Sequence, residues 1–141
     1  MNTIEISDAE WDVMRIIWTL GPSTSKEIAD VLIEKKGWKA ATVKTLLGRL
    51  VKKGALDTKA DQHAFIYSST VAEQTMMDQS LTQLFEHLCA MRIGQSLENS
   101  LPKLALSKKD IESLQTILAQ KALTAPDEVP CNCVDNNHTC H

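Results

Sequence analysis

The segment KKGWKAATVKTLLGRLVKKGAL, residues 35 to 56, decides how this chain is read. It holds Lys35, Lys36, Lys39, Lys44, Arg49, Lys52 and Lys53 with neither Asp nor Glu, a local charge of +7 in a chain whose net charge is −3. Everything outside the segment therefore sums to −10. A positive segment in an acidic protein is a placed patch rather than a general affinity for polyanions. Within it Val43, Leu46, Leu47, Leu50 and Val51 fall at i, i+3, i+4, i+7 and i+8, the apolar stripe of an amphipathic helix. The opposite side carries Ala41, Thr42, Lys44, Thr45, Gly48, Arg49 and Lys52. Small residues permit close approach, and Thr, Lys and Arg reach phosphates or base edges, so such a face can enter a major groove. A solvated basic surface helix is the other reading, and the flanking sequence has to choose between them.

Upstream, Ser7-Asp8-Ala9-Glu10 forms a capping-box pattern, after which Trp11, Met14 and Trp18 share a helix face until Gly21-Pro22. Thr24-Ser25-Lys26-Glu27 is a second box, followed by Ile28, Val31 and Leu32, with Gly37 as the expected left-handed terminator. Two adjacent helices, the second with a polar and basic outer face, make a helix-turn-helix. Downstream of Gly54, residues 56–59 alternate, residues 60–63 can turn and Ala64-Phe65-Ile66-Tyr67-Ser68 is strand-prone. A hairpin behind a helix-turn-helix predicts a winged helix, with Lys59 and His63 near the wing tip. Trp11, Trp18, Trp38, Phe65 and Tyr67 are expected mostly to pack in the core.

Thr70-Val71-Ala72-Glu73 reads as a third box opening a long helix with Leu81, Leu84, Phe85, Leu88 and Met91 in a stripe, broken near Gly94. Cys89, on the apolar side of that helix, reads as a small buried hydrophobe. A further helix begins at Ser107 and carries Ile111, Leu114, Ile117 and Leu118. So small a helical region cannot bury its stripes alone, which points to pairing with a second copy. The expected organisation is mainly α with a small β-hairpin: a winged helix-turn-helix over residues 1–70, a helical dimerisation region over 71–125, and a linker with a flexible Cys/His tail over 126–141.

That tail contains Cys131, Cys133, His138, Cys140 and His141. Residues two apart on an extended chain point the same way, so Cys131 and Cys133 present two sulfurs to one ion, and Cys140 with His141 can close the shell. Three sulfurs and one nitrogen suit tetrahedral Zn(II), whereas Cu(I) accepts the thiolates alone; His138 is a competing nitrogen donor. A disordered tail with reactive thiols is the bland alternative. Neither a membrane span nor a signal peptide is visible, and clustered rather than paired cysteines suit a reducing compartment, so the chain is expected in the cytoplasm. No catalytic constellation occurs at a meaningful spacing, and no enzymatic activity is expected.

Residues 6–14 with Ile17-Trp18, Trp38, residues 42–54 and Phe65-Ile66-Tyr67-Ser68 together resemble the BlaI/MecI/CopY repressors, densely over the first half and in outline beyond. The resemblance implies a winged-helix homodimer bound to double-stranded operator DNA, at palindromes of TACA/TGTA type. The tail resembles the copper-responsive CopY-type branch, in which Zn(II) supports the DNA-bound form and Cu(I) displaces it, derepressing copper-export genes; a copper-donating chaperone is a candidate partner. That branch carries Cys-x-Cys twice, whereas here His141 follows Cys140 and the fourth thiolate is missing. Lys39 also stands where many members have a capping Ser. Thr42, Thr45 and Arg49 are expected to face the groove, with Arg49 discriminating bases, and Lys44, Lys52, Lys53 and Lys59 to meet phosphates. The expected metal ligands are Cys131, Cys133, Cys140 and His141. The alternatives are a metal-buffering or copper-carrying protein without specific DNA binding, and a β-lactam-type repressor with a non-sensing tail.

Overall fold

In the computed structural model, which describes residues 4–134, the first two capping boxes are met by definite hydrogen bonds. Ser7 caps helix α1 (Asp8–Leu20): the Glu10 amide donates to its hydroxyl at 3.2 Å, and the Ser7 amide donates to Glu10 Oε1 at 2.9 Å. Thr24 and Glu27 close the same reciprocal box on α2 (Ser25–Lys36), which ends at Gly37 with φ 69° and ψ 20°. That left-handed turn is nearly free for glycine and costly for residues with a Cβ. Helix α3 (Ala40–Lys52) starts at Lys39 without a side-chain cap.

Strands β2 (Leu56–Asp61) and β3 (Ala64–Ser69) form the expected hairpin, in register from Leu56 opposite Ser69 to Asp61 opposite Ala64. Gln62 takes a positive φ of 55° in its turn. A third strand, β1 (Ser23–Thr24), pairs antiparallel with β3, giving the sheet order β1-β3-β2. Two residues are too few to show alternation in a sequence, and β1 lies where the second capping box already accounted for Thr24.

The chain divides into two units, one ending at Leu81 and one beginning at Thr82. The first has a continuous core of Val13, Met14 and Ile17 from α1, Ile28, Ala29 and Leu32 from α2, Val43, Leu46, Leu47 and Leu50 from α3, and Ala55 with Leu56. Trp18, Trp38 and Tyr67 pack against it, and Trp18 Nε1 donates to Ser69 Oγ and to the Val71 carbonyl, each at 3.0 Å. Phe65 departs from the expectation: it is 59% exposed on the wing strand.

Helix α4 (Glu73–His87) carries the chain from one unit into the next. The third capping box does not form. Thr70 instead donates its hydroxyl to the Gly54 carbonyl at 2.6 Å, fastening the end of the wing to the turn after α3. Nor does α4 run on to Gly94. It ends at His87, a 3-10 turn follows at Ala90–Arg92, and Gly94 lies inside α5 (Ile93–Ser100). A second 3-10 turn at Leu101–Lys103 leads to α6 (Lys108–Ala122), capped by Ser107 and Asp110. Among the described residues of this second unit none is buried, and Leu84, Leu97, Leu104, Ile111, Leu114, Ile117 and Leu118 are exposed. No helix of the described residues is long and apolar enough to cross a membrane.

Candidate nucleic-acid interface and thiolate cluster

Helix α3 turns its apolar stripe fully inward. Val43, Leu47 and Leu50 are completely buried, and this fixes the rotation of the helix about its axis. Thr42, Lys44, Thr45, Gly48, Arg49 and Lys52 are consequently exposed. Thr45 donates to the Ala41 carbonyl one turn back at 3.0 Å, which leaves its oxygen lone pairs outward. Lys59 is exposed on β2 opposite Ile66, below the Gln62-His63 turn of the wing.

The seven cations of the opening segment do not act alike. Lys53 extends its ammonium to the carboxylate of Glu10, with Nζ 2.7 Å from Oε1. Glu10 is 2% exposed, and its other oxygen, Oε2, is buried without a hydrogen-bond partner. Burial raises the Glu10 pKa, but the Lys53 ammonium and the Ser7 amide and hydroxyl outweigh it and hold the carboxyl below its ordinary value. Lys36 approaches Asp12 of α1 at 3.9 Å. Two cations at the edges of the basic run thus tie it to α1, while Lys44, Arg49 and Lys52 project from α3 itself.

The second cluster is in the other unit. The sulfurs of Cys89, Cys131 and Cys133 all lie within 4.8 Å of one another. Cys89 and Cys131 are half-buried and Cys133 is exposed. The Cys89 and Cys131 sulfurs are 3.8 Å apart, the Cys133 amide donates to Cys131 Sγ at 3.4 Å, and the Ala90 amide donates to Asn132 Oδ1 at 2.8 Å. Cys131 is disulfide-bonded in this structure, so three thiolates together belong to the reduced protein. Desolvation raises the Cys89 thiol, but a hydrogen bond with Cys133, the backbone amides of Met91 and Arg92 and the Arg92 charge bring it below its ordinary value. Cys133 is raised, chiefly by that same bond to Cys89. Cys140, His141 and His138 lie outside the described residues.

Cys89 is thus no buried core residue. It follows the end of α4 and immediately precedes the next turn, 42 positions from Cys131. Its type was visible in the sequence; its meeting with the tail was not, because the expected longer helix placed it in an apolar stripe.

Residues 6–120 match the penicillinase repressor family. The chain belongs to this BlaI/MecI/CopY family of repressors. It is 46% identical over 139 residues to an uncharacterised 16.5 kDa protein encoded 3′ of ptsI in Latilactobacillus sakei, covering 99% of this chain and 95% of that one. It is 34% identical over 120 residues to the methicillin resistance regulatory protein MecI of Staphylococcus aureus, covering 85% of this chain and 98% of MecI. Among solved structures, Bacillus licheniformis BlaI bound as a monomer to the blaP half-operator is 34% identical with a TM-score of 0.47, over 52% of this chain and 89% of that one. As a BlaI/MecI/CopY-family member the chain is a DNA-binding transcriptional repressor with a winged helix, and not an enzyme.

Proposed function

We propose that this repressor occupies palindromic operators of TACA/TGTA type as a homodimer, and that Cu(I), replacing Zn(II) at the C-terminal cysteines, releases it to derepress copper-export genes. The observation that carries the metal-sensing part is the convergence of the Cys131 and Cys133 sulfurs with a third sulfur. A β-lactam-type repressor with a non-sensing tail has no use for such a constellation. Thiolates select soft ions, and both Cu(I) and Zn(II) belong to that group.

On the DNA side, Thr42, Thr45 and Arg49 face the groove, and Lys44, Lys52 and Lys59 meet phosphates. Lys53 contributes to the phosphate field from the position where it pairs with Glu10. On the metal side, Cys131 and Cys133 provide the first two ligands, with Cys140 and His141 as further donors. The exposed apolar residues of α4 to α6 support pairing with a second copy. Nothing supports a copper-donating chaperone as a partner, and the mechanism works without one. A metal shifts the DNA-binding equilibrium only by its differential affinity for the bound and free forms. Zn(II) therefore has to favour the tail arrangement of the bound form, and Cu(I) that of the free form.

Fluorescence anisotropy on a TACA/TGTA palindrome, with Zn(II) and Cu(I) titrated separately under reducing conditions, tests the whole reading. The expected result is salt-sensitive operator binding that persists with Zn(II) and is lost with Cu(I). Operator binding indifferent to Cu(I) identifies the β-lactam-type alternative. Replacing Cys131 and Cys133 together by Ser should leave operator binding unresponsive to copper.

A further inference from the structure

We infer that Cys89 is a metal ligand, supplying from the helical unit a thiolate to the ion held by Cys131 and Cys133. The inference rests on the metal-sensing reading above and deepens it by naming where the tail is fastened. Two observations support it. The first is distance: two thiolates on one tetrahedral Zn(II), each about 2.3 Å from the ion, are about 3.8 Å apart, and the Cys89 and Cys131 sulfurs are separated by 3.8 Å. The third sulfur joins them within 4.8 Å, so once the Cys131 disulfide is reduced a contraction of up to about 1 Å closes a three-sulfur site.

The second is anchorage. The Ala90 amide donates to Asn132 Oδ1 at 2.8 Å, so the residue between the two tail cysteines is bound to the residue next to Cys89. The tail is therefore registered on this corner by a contact that needs no metal.

Cys89 with Cys131 and Cys133 gives three sulfurs among the described residues alone, three thiolates once Cys131 is reduced. Three thiolates satisfy Cu(I) at low coordination and leave Zn(II) one position short of a tetrahedron. The two ions thus place different demands on the rest of the tail while sharing one fixed ligand. Because Cys89 lies two residues beyond α4, the ion attaches the tail next to the helix that leads out of the winged-helix unit.

The test is alkylation of the full-length reduced protein with iodoacetamide, read by mass spectrometry at each cysteine, with and without one equivalent of Cu(I) or Zn(II). Metal is expected to slow labelling of Cys89 together with Cys131 and Cys133. Cys89→Ser should weaken Cu(I) binding, measured against a chromophoric chelator, by at least about tenfold, the lower end of what even an outer-shell partner costs. X-ray absorption of the variant should count one sulfur fewer per ion. If Cys131 and Cys133 are protected while Cys89 labels at its metal-free rate, the tail senses metal without Cys89 and this inference is overturned alone. If none of the three is protected and copper does not release the operator, the metal-sensing reading falls with it.

Discussion

At the scale of single residues, the basic run separates into side chains that project from α3 into solvent and side chains paired with carboxylates of α1. Arg49 is exposed on α3 with no acidic partner among the described ion pairs, and a bidentate contact from Arg to guanine is worth about 1–3 kcal/mol of discrimination. Arg49→Ala should therefore reduce the preference for operator over scrambled DNA by about that amount in competition anisotropy; an unchanged preference would remove Arg49 from the reading face. Lys53 is the contrasting case. It neutralises a carboxylate that is 2% exposed, and Lys53→Met leaves that charge without its cation. A buried charged group deprived of its partner costs about 1–3 kcal/mol, the lower part of that range being appropriate because the Lys53 side chain is 38% exposed. The pH dependence has a definite sign. The folded pKa of Glu10 is lowered from 4.5, so its contribution is complete above about that pH and is lost as pH falls through the lower folded value. Urea unfolding should show a large gap between wild type and Lys53→Met at pH 7 that narrows on acidification, as Glu10 is protonated in both. A gap independent of pH would mean that the lysine acts through its aliphatic stem alone.

At the scale of elements, α3 lacks the side-chain cap that α1 and α2 have, since Lys39 offers no acceptor where Ser7 and Thr24 do. Ser in place of a non-capping residue at an N-cap typically gains about 1 kcal/mol. Lys39→Ser should thus raise the urea midpoint, and an unchanged midpoint would show that the first turn of α3 is already held by its packing. This vacancy was legible in the sequence, as were the caps of α1 and α2, the Gly37 terminator, the inward stripe of α3 and the hairpin, because each is written in one short continuous stretch of chain. What failed to show there depends on distant partners. Strand β1 exists only through Tyr67 and Ile66, about 43 positions away, and Thr70 abandons a local cap for the Gly54 carbonyl. Cys89 looked like a core residue because Leu88 and Met91 extend the apolar stripe past the true end of α4 at His87. Periodicity describes one helix face well, yet it carries no information about a tail that returns from position 131.

At the scale of the whole molecule, the two units differ in how their apolar residues are satisfied. The first encloses a core drawn from three helices and the sheet, while the second buries no described residue and exposes Ile111, Leu114, Ile117 and Leu118 along one helix. Those side chains recur at i, i+3, i+6 and i+7, so α6 presents a stripe that a second copy can cover isologously. Two-fold pairing would also match two reading helices to half-sites one helical turn apart, about 34–36 Å. Charges placed in the stripe separate these consequences from folding of the winged helix. A repressor carrying both Ile117→Asp and Leu118→Asp, at positions 59% and 58% exposed, should sediment as a monomer at micromolar concentration. The winged-helix core contains neither residue, so affinity for a single half-site should be unchanged. What should be lost is the advantage of the full palindrome over the half-site, since that advantage comes from linking two binding events rather than from any contact of α3. A variant that remains dimeric, or one that is monomeric yet keeps the full preference for the palindrome, would show that the second unit pairs through another surface or that the operator itself brings the two winged helices together.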